Sequence, residues 1–463
     1  MKLNWSTLLS AKRVKELSGQ SHTTAKPGTD TRSEHERDYG RAVFCTPVRR
    51  LQDKAQVFPR EPNDSVRTRL THSLEVSTLC RSLVAGLREF LHQNGVAEDG
   101  VRSIEAIAAT SGLLHDIGNP PFGHAGERAI AEWYLAKKKD DAAIDLLSKN
   151  DTPRSSDFEN FDGNPQTVRL VTRLQLLADH YGLNLCAGTV AALIKYTACS
   201  TEIDSNIHAR SKIGYFQSER NIVDLVRDAT GIGASRHPLV FLVEAADDMV
   251  YSTVDIEDAV KKGLFDWSVV KAKISEVDDS LPADVEAYIG QFNWTGLSRS
   301  ARDEALVQFL RTKLIYLHVE AVVTVFRDRY EEIMRGEYDG ELLCEGRSSQ
   351  LLDACGKLAK ENIYSNREVM LAELEGRAAI QGLLDDLWDG VSNNQRTDRK
   401  SFSYKIYHAI SSNYRSVFEK AVTDPTLSPE QRTYHQLQLV TDYVCGMTDS
   451  YVIEMFRKLR AGR

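Results

Sequence analysis

The chain has 463 residues, of which 42% are hydrophobic and 27% are charged, and this composition excludes a disordered or fibrous protein. With 58 Lys and Arg against 66 Asp and Glu, the formal net charge is −8, so whole-protein charge does not attract nucleic acid, although a local basic patch could. At about 150 residues per domain, the length allows roughly three domains.

The sequence shows none of the usual signs of a membrane or secreted protein. The longest apolar run, residues 239–246, contains Glu244 and is too short and too polar to cross a bilayer. Residues 1–20 lack the apolar core and small-residue cleavage site of a secretory signal. Seven cysteines without a CxxC pair fit a reduced chain and argue against a cysteine-based zinc site. We therefore expect a cytoplasmic protein.

Hydrophobic periodicity predicts mostly helices. Residues 20–38 are polar and predict an exposed, mobile entry segment. Apolar residues at helical intervals predict helices over about 70–92 and 101–115, the second ended by Gly118 and Pro120, and a third from Ala125. Helical patterns recur at 165–181, 187–198, 238–262, 302–335, 368–388, 404–421 and 430–460, with short strands at 212–216 and 341–344. The predicted fold class is all-α with few short strands.

The string 114–127, LHDIGNPPFGHAGE, is the richest in chemistry. His115 and Asp116 are adjacent at a predicted helix end, and an imidazole beside a carboxylate suits Mg²⁺, Mn²⁺, Fe²⁺ or Zn²⁺. Neighbouring helical residues point about 100° apart, so other helices must supply the remaining ligands. His72 and Asp247 are candidates because both lie on amphipathic or apolar helices, where a charge is costly unless it is paired.

Several strings taken in order resemble a known family. The sequence is similar to the HD-domain metal-dependent phosphohydrolases, and within them to the deoxynucleoside triphosphate triphosphohydrolases, especially the bacterial dGTPases. The resemblance runs from about residue 37 to 270, with a weaker match near the C-terminus. The matching strings are VRRLQDKAQVF (48–58), RTRLTHSLEV (67–76), HDIGNPPFGHAGE (115–127), FDGNPQ (161–166), GLNL (182–185), ADDMVYSTVDIEDA (246–259) and GMTD (446–449).

The resemblance implies an activity and a ligand set. It implies that His72, His115, Asp116 and Asp247 hold one divalent ion per subunit, Mg²⁺ or Mn²⁺. It also implies hydrolysis of a dNTP to the deoxynucleoside and inorganic triphosphate, with dGTP as the expected substrate. It divides the chain into an N-terminal extension (1–40), an HD core (41–265) and a helical C-terminal region packed on that core (266–463).

A proton-transfer pair follows the Pro-Pro turn. His124 precedes Glu127 by three residues, and a histidine oriented by a carboxylate is a competent general acid or base near neutral pH. We predict that His124 transfers a proton and that Glu127 orients it, whether the proton belongs to the attacking water or to the leaving 5′ oxygen.

Substrate contacts are also implied by the resemblance. Gln56 matches the family position that contacts the sugar 3′-hydroxyl, and Tyr251 matches the position that packs on the deoxyribose. Asp255 matches a position that accepts a hydrogen bond from the sugar. Asp247, Tyr251 and Asp255 are spaced i, i+4 and i+8 and so share one helix face. The polar groups expected near the phosphates are Arg69, Asn164 and Lys195, with Lys212 as a rival to Lys195. In the C-terminal half, Lys405 and Arg415 are candidates for triphosphate or base contacts.

One position departs from the commoner family motif. Asn119 stands where histidine is more usual, and the Asn-Pro-Pro form resembles the dGTP-specific branch. An amide can hydrogen-bond a phosphate but cannot donate a proton as an acid.

Two alternatives to a dGTP-specific enzyme remain: a broad-specificity dNTP triphosphohydrolase and a regulator that responds to nucleotides or nucleic acid. Family members form homo-oligomers, often hexamers, and single-stranded nucleic acid is a candidate effector; no membrane partner is expected.

Overall fold

The computed structural model describes residues 2–20, 31–175, 179–292, 295–296 and 298–460. Within these ranges the protein is built from helices and has one pair of very short strands, which confirms the all-α prediction. In chain order the elements are α1 (Trp5–Leu8), α2 (Val14–Leu17), α3 (Glu34–Phe44), α4 (Thr46–Arg50), α5 (Arg69–Gln93), α6 (Glu98–Leu114), α7 (Gly123–Asp140), α8 (Ala142–Asn150), α9 (Thr152–Glu159), α10 (Gly163–Arg169), α11 (Ala187–Leu193), β1 (Ala198–Cys199), β2 (Ile213–Tyr215), α12 (Arg220–Thr230), α13 (Pro238–Lys261), α14 (Trp267–Ser275), α15 (Ser280–Ile289), α16 (Arg299–Asp328), α17 (Tyr330–Arg335), α18 (Gly346–Asn362), α19 (Arg367–Ser392), α20 (Phe402–Ala409), α21 (Ser412–Ala421), α22 (Pro429–Cys445) and α23 (Asp449–Arg460).

Helices α5, α6 and α13 pack against one another and form the framework of the site. Helix α13 begins at Pro238, a residue suited to the first helical turn, after His237, whose side chain accepts a hydrogen bond from the N–H of Leu239. Most residues of α13 are buried, polar ones included, as expected of a helix surrounded by the core. A charged residue on this helix therefore faces either another protein group or a cavity.

Two predicted helices are too long: among the described residues, 165–181 is helical only to Leu174, and 187–198 is helical only to Leu193, with β1 beginning at Ala198. Three others differ from the observed helices at internal breaks. The span 302–335 is interrupted at Arg329, 404–421 at residues 410–411, and 430–460 at residues 446–448. Each break is only one to three residues long, too short to disturb a hydrophobic period read over 11 to 18 residues.

One of the two predicted strands is present. The segment 212–216 contains β2, which pairs in parallel with β1 through Ala198 and Ile213. The strand predicted at 341–344 is wrong, because these residues form turns. Leu342 and Leu343 are both buried there, so their apolar character reflects packing and not a strand.

The N-terminal region is more ordered than the exposed entry segment predicted over residues 20–38. Helix α3 already begins at Glu34, and Ser33 and Glu36 form a capping box at its start. His35 and Asp38 are buried, so the prediction of an exposed segment is wrong for these residues. Residues 21–30 of that segment lie outside the described residues.

Apolar packing connects the two halves of the chain. The main hydrophobic core runs from Leu3 to Ile453 and includes buried residues of α19, α22 and α23. A second cluster joins α14, α15, α16 and α18 to the end of α13. The predicted division at residues 40 and 265 remains a prediction. Among the described residues, no helix is both long and apolar enough to span a membrane.

Candidate active site

A cavity of about 660 Å³ lies between α5, α7, α11 and α13 and the loops beside them. Ten of the twelve predicted site residues line it: Gln56, Arg69, His115, Asp116, His124, Glu127, Asn164, Lys195, Asp247 and Tyr251. The other two, His72 and Asp255, are buried and do not line the cavity. Lys212 lines it as well, whereas Lys405 and Arg415 do not.

His72, His115 and Asp247 form what we call the His/Asp cluster. His72 lies in the first turn of α5, His115 caps the C-terminus of α6, and Asp247 lies within α13. The Oδ1 atom of Asp247 is 2.9 Å from Nε2 of His72 and 3.5 Å from Nε2 of His115. One ligand atom from each residue lies within 4.8 Å of the others. The consecutive helices α5 and α6 and the distant helix α13 thus bring together donors suited to one divalent cation.

The hydrogen bonds of His115 leave the correct nitrogen available for a metal. Its Nδ1 is 2.7 Å from the carbonyl oxygen of Gly112, so Nδ1–H donates there and Nε2 is the nitrogen that can present a lone pair to a metal. Nε2 is buried and has no hydrogen-bond partner among the described residues. A buried nitrogen without a partner is costly unless a bound group satisfies it, so the cluster fits the metal that the resemblance implies.

Asp116 lies at the edge of this cluster. Its Oδ2 is 3.5 Å from Nε2 of His115 and also accepts a hydrogen bond from Arg69. Its Oδ1 accepts from the Nδ2 of Asn119 at 2.8 Å. The carboxylate is therefore close to His115 but shared with two donors, and its role as fourth ligand remains a prediction.

The charges of the cluster shift one another. Burial opposes charge on His115, but the carboxylates of Asp116 and Asp247 outweigh it and raise the pKa of His115 to about 9. Burial likewise opposes the charge on Asp116, yet Arg69 and His115 lower the pKa of Asp116 to about 2. Burial also opposes the charge on Asp247, but His115 and His72 lower the pKa of that carboxyl, so both carboxylates are ionised at neutral pH, as metal ligation requires. The raised pKa of His115 places a proton on Nε2 at neutral pH, and a cation held there would replace that proton.

His124 and Glu127 are in direct contact. Nδ1 of His124 is 2.6 Å from Oε2 of Glu127, and the other carboxylate oxygen accepts from the N–H of Gly163 at 2.8 Å. The hydrogen bond to Glu127 raises the pKa of His124, although burial opposes it. The imidazole of His124 is exposed to the cavity and Glu127 is buried. With Nδ1 engaged, Nε2 is the atom free to exchange a proton with a ligand.

Close backbone packing determines where this pair lies. Helix α7 starts directly after the turn 119–122, and a Cβ atom on Gly126 would lie 2.1 Å from the carbonyl oxygen of Pro121. A Cβ on Gly118 would lie 2.2 Å from the carbonyl oxygen of Gly163. Gly126 thus lets α7 pack on the turn before it, and Gly118 lets the loop after α6 approach the start of α10, where the N–H of Gly163 donates to Glu127.

Basic groups also line the cavity. Burial alone would lower the pKa of Lys195, but Glu244, whose carboxylate is 3.6 Å from Nζ, raises it above its usual value. Glu244 also accepts from Arg236 at 2.7 Å. Lys212 lies 3.9 Å from Asp162, whose Oδ1 accepts from the backbone and side-chain amides of Asn164. This wall therefore offers cationic and amide donors suited to an anionic ligand.

Tyrosine side chains also line the cavity. Tyr251, 39% exposed, stacks on Tyr364 with ring centroids 6.1 Å apart and planes at 15°. The hydroxyl of Tyr364 donates to Asp255 at 2.7 Å, and burial raises the pKa of Asp255 to about 8. Gln56 also lines the cavity, and its buried Oε1 has no partner among the described residues.

Sequence reasoning missed three residues around the cavity. Tyr364 follows α18 with no motif around it, so nothing in its neighbourhood indicated the contact with α13. Lys54 and Asp449 lie within the strings 48–58 and 446–449 that carry the resemblance, but neither was predicted to hold the backbone beside the cavity. Both are buried.

A scan of family models places this arrangement in a known class. Residues 69–180 match the HD domain, a helical domain of metal-dependent hydrolases, and this range contains His72, His115, Asp116, His124 and Glu127 but not Asp247.

Curated relatives extend the match to nearly the whole chain. A deoxyguanosinetriphosphate triphosphohydrolase-like protein of Listeria monocytogenes is 33% identical over 472 residues, covering 99% of each chain. One of Synechocystis is 33% identical with the same coverage. A deoxyguanosinetriphosphate triphosphohydrolase of Serratia proteamaculans is 30% identical over 92% of this chain and 93% of that protein. The chain belongs to the HD-domain dGTPase family, and the similarity extends well beyond the predicted range of 37–270.

Proposed function

We propose that the protein hydrolyses dGTP to deoxyguanosine and inorganic triphosphate in a metal-dependent reaction. The observation that carries this proposal is the His/Asp cluster at the wall of a 660 Å³ cavity, with the unpartnered Nε2 of His115 beside Asp247. The same cavity contains the His124–Glu127 pair and the cationic wall. Together these groups supply what hydrolysis of a nucleoside triphosphate needs.

Four residues would hold one divalent ion, Mg²⁺ or Mn²⁺: His72, His115, Asp116 and Asp247. Such an ion would supply Lewis acidity at the α-phosphate and would make water a better nucleophile near neutral pH. Two imidazoles with two carboxylates are compatible with either ion, and the carboxylates favour a hard cation. Arg69 holds Asp116 from the cavity side, so it orients that carboxylate and offers its remaining charge to a phosphate.

The reaction adds one water to the substrate. A bond forms between the water oxygen and the α-phosphorus, and the bond from that phosphorus to the 5′ oxygen breaks. The products are inorganic triphosphate and a deoxynucleoside with a free 5′-hydroxyl. His124 exchanges a proton through Nε2, and Glu127 holds Nδ1–H, so that the imidazole keeps one tautomer and one orientation.

The remaining cavity residues would contact the substrate. We assign Arg69, Asn164 and Lys195 to the phosphates, and Gln56 and Tyr251 to the sugar. Asp255 would influence the sugar contacts through Tyr364, from whose hydroxyl it accepts a hydrogen bond. A tyrosine ring against C2′ leaves little room for a hydroxyl, which favours deoxynucleotides over ribonucleotides. Guanine as the base is supported by the names of the relatives.

Products distinguish this proposal from its rivals. Purified protein is incubated with Mg²⁺ or Mn²⁺ and each of the four dNTPs, with GTP as the 2′-hydroxyl control, and the products are separated by anion-exchange chromatography. We expect triphosphate and deoxynucleoside, fastest from dGTP and least from GTP. Release of pyrophosphate and a monophosphate would reject the mechanism. Equal rates for all four dNTPs would favour a broad-specificity enzyme, and absence of turnover would favour a regulator.

Three further predictions concern the surroundings of the enzyme. We propose a cytoplasmic homo-oligomer, with a hexamer as the expected form, and single-stranded nucleic acid as a candidate effector. Sedimentation gives the oligomeric state. A gel shift at several salt concentrations tests nucleic-acid binding, because contacts to the phosphate backbone weaken steeply with salt.

A further inference from the structure

Two buried charged side chains connect three segments at the edge of the cavity. Asp449, the first residue of α23, is 1% exposed. Its Oδ1 accepts a hydrogen bond from the N–H of Phe122 and its Oδ2 accepts one from the N–H of Ala55, both at 2.9 Å. Among the described residues, no cationic side chain forms an ion pair with this carboxylate. Its charge is therefore satisfied by backbone amides.

Lys54 joins the same segments with the opposite charge. Its Nζ donates to the carbonyl oxygens of Asn119 and Cys445, and burial lowers the pKa of Lys54 to about 8. Lys54, Asn119, Phe122, Cys445 and Asp449 form what we call the loop junction. Buried charges are costly unless they are hydrogen-bonded. Because the partners are backbone groups, the junction determines the path of the main chain.

The turn held by Asp449 has an unfavourable backbone conformation. Phe122 has φ of 61° and Gly123 has φ of 52°, so two successive residues before His124 are left-handed. A bulky residue rarely adopts this conformation and keeps it only where surrounding contacts impose it. The hydrogen bond from Phe122 N–H to Asp449 is one such contact. The packing of the Phe122 ring on Gly376, where a Cβ atom would lie 2.5 Å away, is another.

We propose that Asp449 is a positioning residue for the reaction. Its carboxylate holds the turn that leads into His124 and the segment that carries Gln56, which follows Ala55 directly. Asp449 itself does not line the cavity, so it acts through these two residues. The inference rests on the proposed function, in which His124 transfers the proton and Gln56 contacts the sugar. One carboxylate thus places the proton-transfer group and the sugar contact relative to each other.

The test compares Asp449→Asn with Ser450→Ala. The asparagine has the same size but presents an NH₂ group to one of the two N–H donors. We expect a fall in kcat of about 10- to 100-fold, as misplaced catalytic groups produce, with a rise in KM and unchanged metal content. Ser450 is the neighbouring residue on α23 and donates to Asp53 at 2.9 Å on the surface. Its variant should stay within about twofold of wild type.

A second measurement does not depend on activity. Hydrogen–deuterium exchange should become faster in Asp449→Asn at the amides of Phe122 and Ala55, while the amides of α5 around Val76 keep their rates. A merely structural role would lower the melting temperature of the variant without changing KM or kcat of the folded fraction. If Asp449→Asn does not fold, Asp449→Glu keeps the charge and moves it by one methylene, and the same loss is expected.

Three results would overturn the inference: turnover of Asp449→Asn within twofold of wild type, unchanged exchange at both amides, or an equal loss in Ser450→Ala. Failure of the proposed function is a separate result, because it appears in the wild type. If wild-type protein hydrolyses no dNTP, the reaction is rejected, and the exchange rates still decide whether Asp449 holds Phe122 and Ala55.

Discussion

The His/Asp cluster and the loop junction border the same cavity but satisfy their polar groups differently. The cluster stands on the three packed helices α5, α6 and α13, and it leaves Nδ1 of His72 and Nε2 of His115 buried without hydrogen-bond partners among the described residues. In the loop junction, every buried polar atom of Lys54 and Asp449 has a backbone partner. The packed helices thus hold one atom, Nε2 of His115, whose bonding is incomplete and which faces Asp247, whereas the segments of the loop junction are held by the complete bonding of Lys54 and Asp449.

The largest effect is expected from breaking the cluster. Asp247→Asn removes the carboxylate that faces both imidazoles, so we expect loss of the bound metal. The metal contributes several kcal/mol of transition-state stabilisation, and turnover should fall roughly a thousandfold or more. Metal content is measured by atomic emission after dialysis, and turnover by triphosphate release. Asp145→Asn, a partly exposed residue of α8 paired with Lys149, is the control. A variant that keeps its metal would contradict the ligand assignment.

A smaller effect on turnover is expected at the His124–Glu127 pair. Glu127→Gln removes the charge that holds Nδ1–H of His124, and we expect kcat to fall about tenfold to hundredfold. Glu127 raises the pKa of His124, so its removal lowers that pKa. The limb of the pH–rate profile that belongs to His124 should therefore move to lower pH, whether the imidazole acts as acid or base.

The control for this prediction is on the same helix. Glu132→Gln removes an exposed carboxylate of α7 that accepts from Arg377 at 2.8 Å, and its pH profile should match that of wild type. An unshifted limb in Glu127→Gln would mean that another group produces it.

The smallest effect is expected where Tyr364 contacts α13, and it concerns stability and not turnover. Tyr364→Phe keeps the ring stacked on Tyr251 but removes the hydrogen bond to the buried Asp255. An unsatisfied buried group costs about 1–3 kcal/mol, so the free energy of unfolding should fall by that amount in urea titration. Tyr316→Phe, which loses only an exposed bond to Glu320, should change it by less than about 0.5 kcal/mol. Equal unfolding midpoints for the two variants would show that the bond to Asp255 contributes nothing.

The cluster was predictable from sequence because its residues lie on strongly periodic helices and within distinctive strings. His72, His115 and Asp247 are indeed brought within ligand distance of one another. The engagement of Asp116 by Arg69 and Asn119 was not predicted, since it depends on the direction of a side chain at a helix end. Helix boundaries at short breaks were missed for a related reason: a one- to three-residue interruption leaves the hydrophobic period intact.

The loop junction could not be predicted because its contacts are long-range and made by backbone groups. Lys54 and Cys445 are far apart in sequence, and a backbone carbonyl carries no sequence signal. Tyr364 likewise contacts Asp255 only because α18 and α19 return to α13. The resemblance placed strings 48–58 and 446–449 in the family, but the reason that they belong together is visible only in the fold.

The position of Asp449 in the chain has a consequence for biosynthesis. A ribosome releases residues in order, and early parts of a chain begin to fold while later parts are still being made. The helices that bear His72, His115 and Asp247 therefore emerge long before α23, and the turn before His124 lacks its acceptor during that interval. A nascent chain can thus bring His72, His115 and Asp247 together while the N–H of Phe122 still lacks its acceptor, so the proposed activity should begin only once α23 has docked.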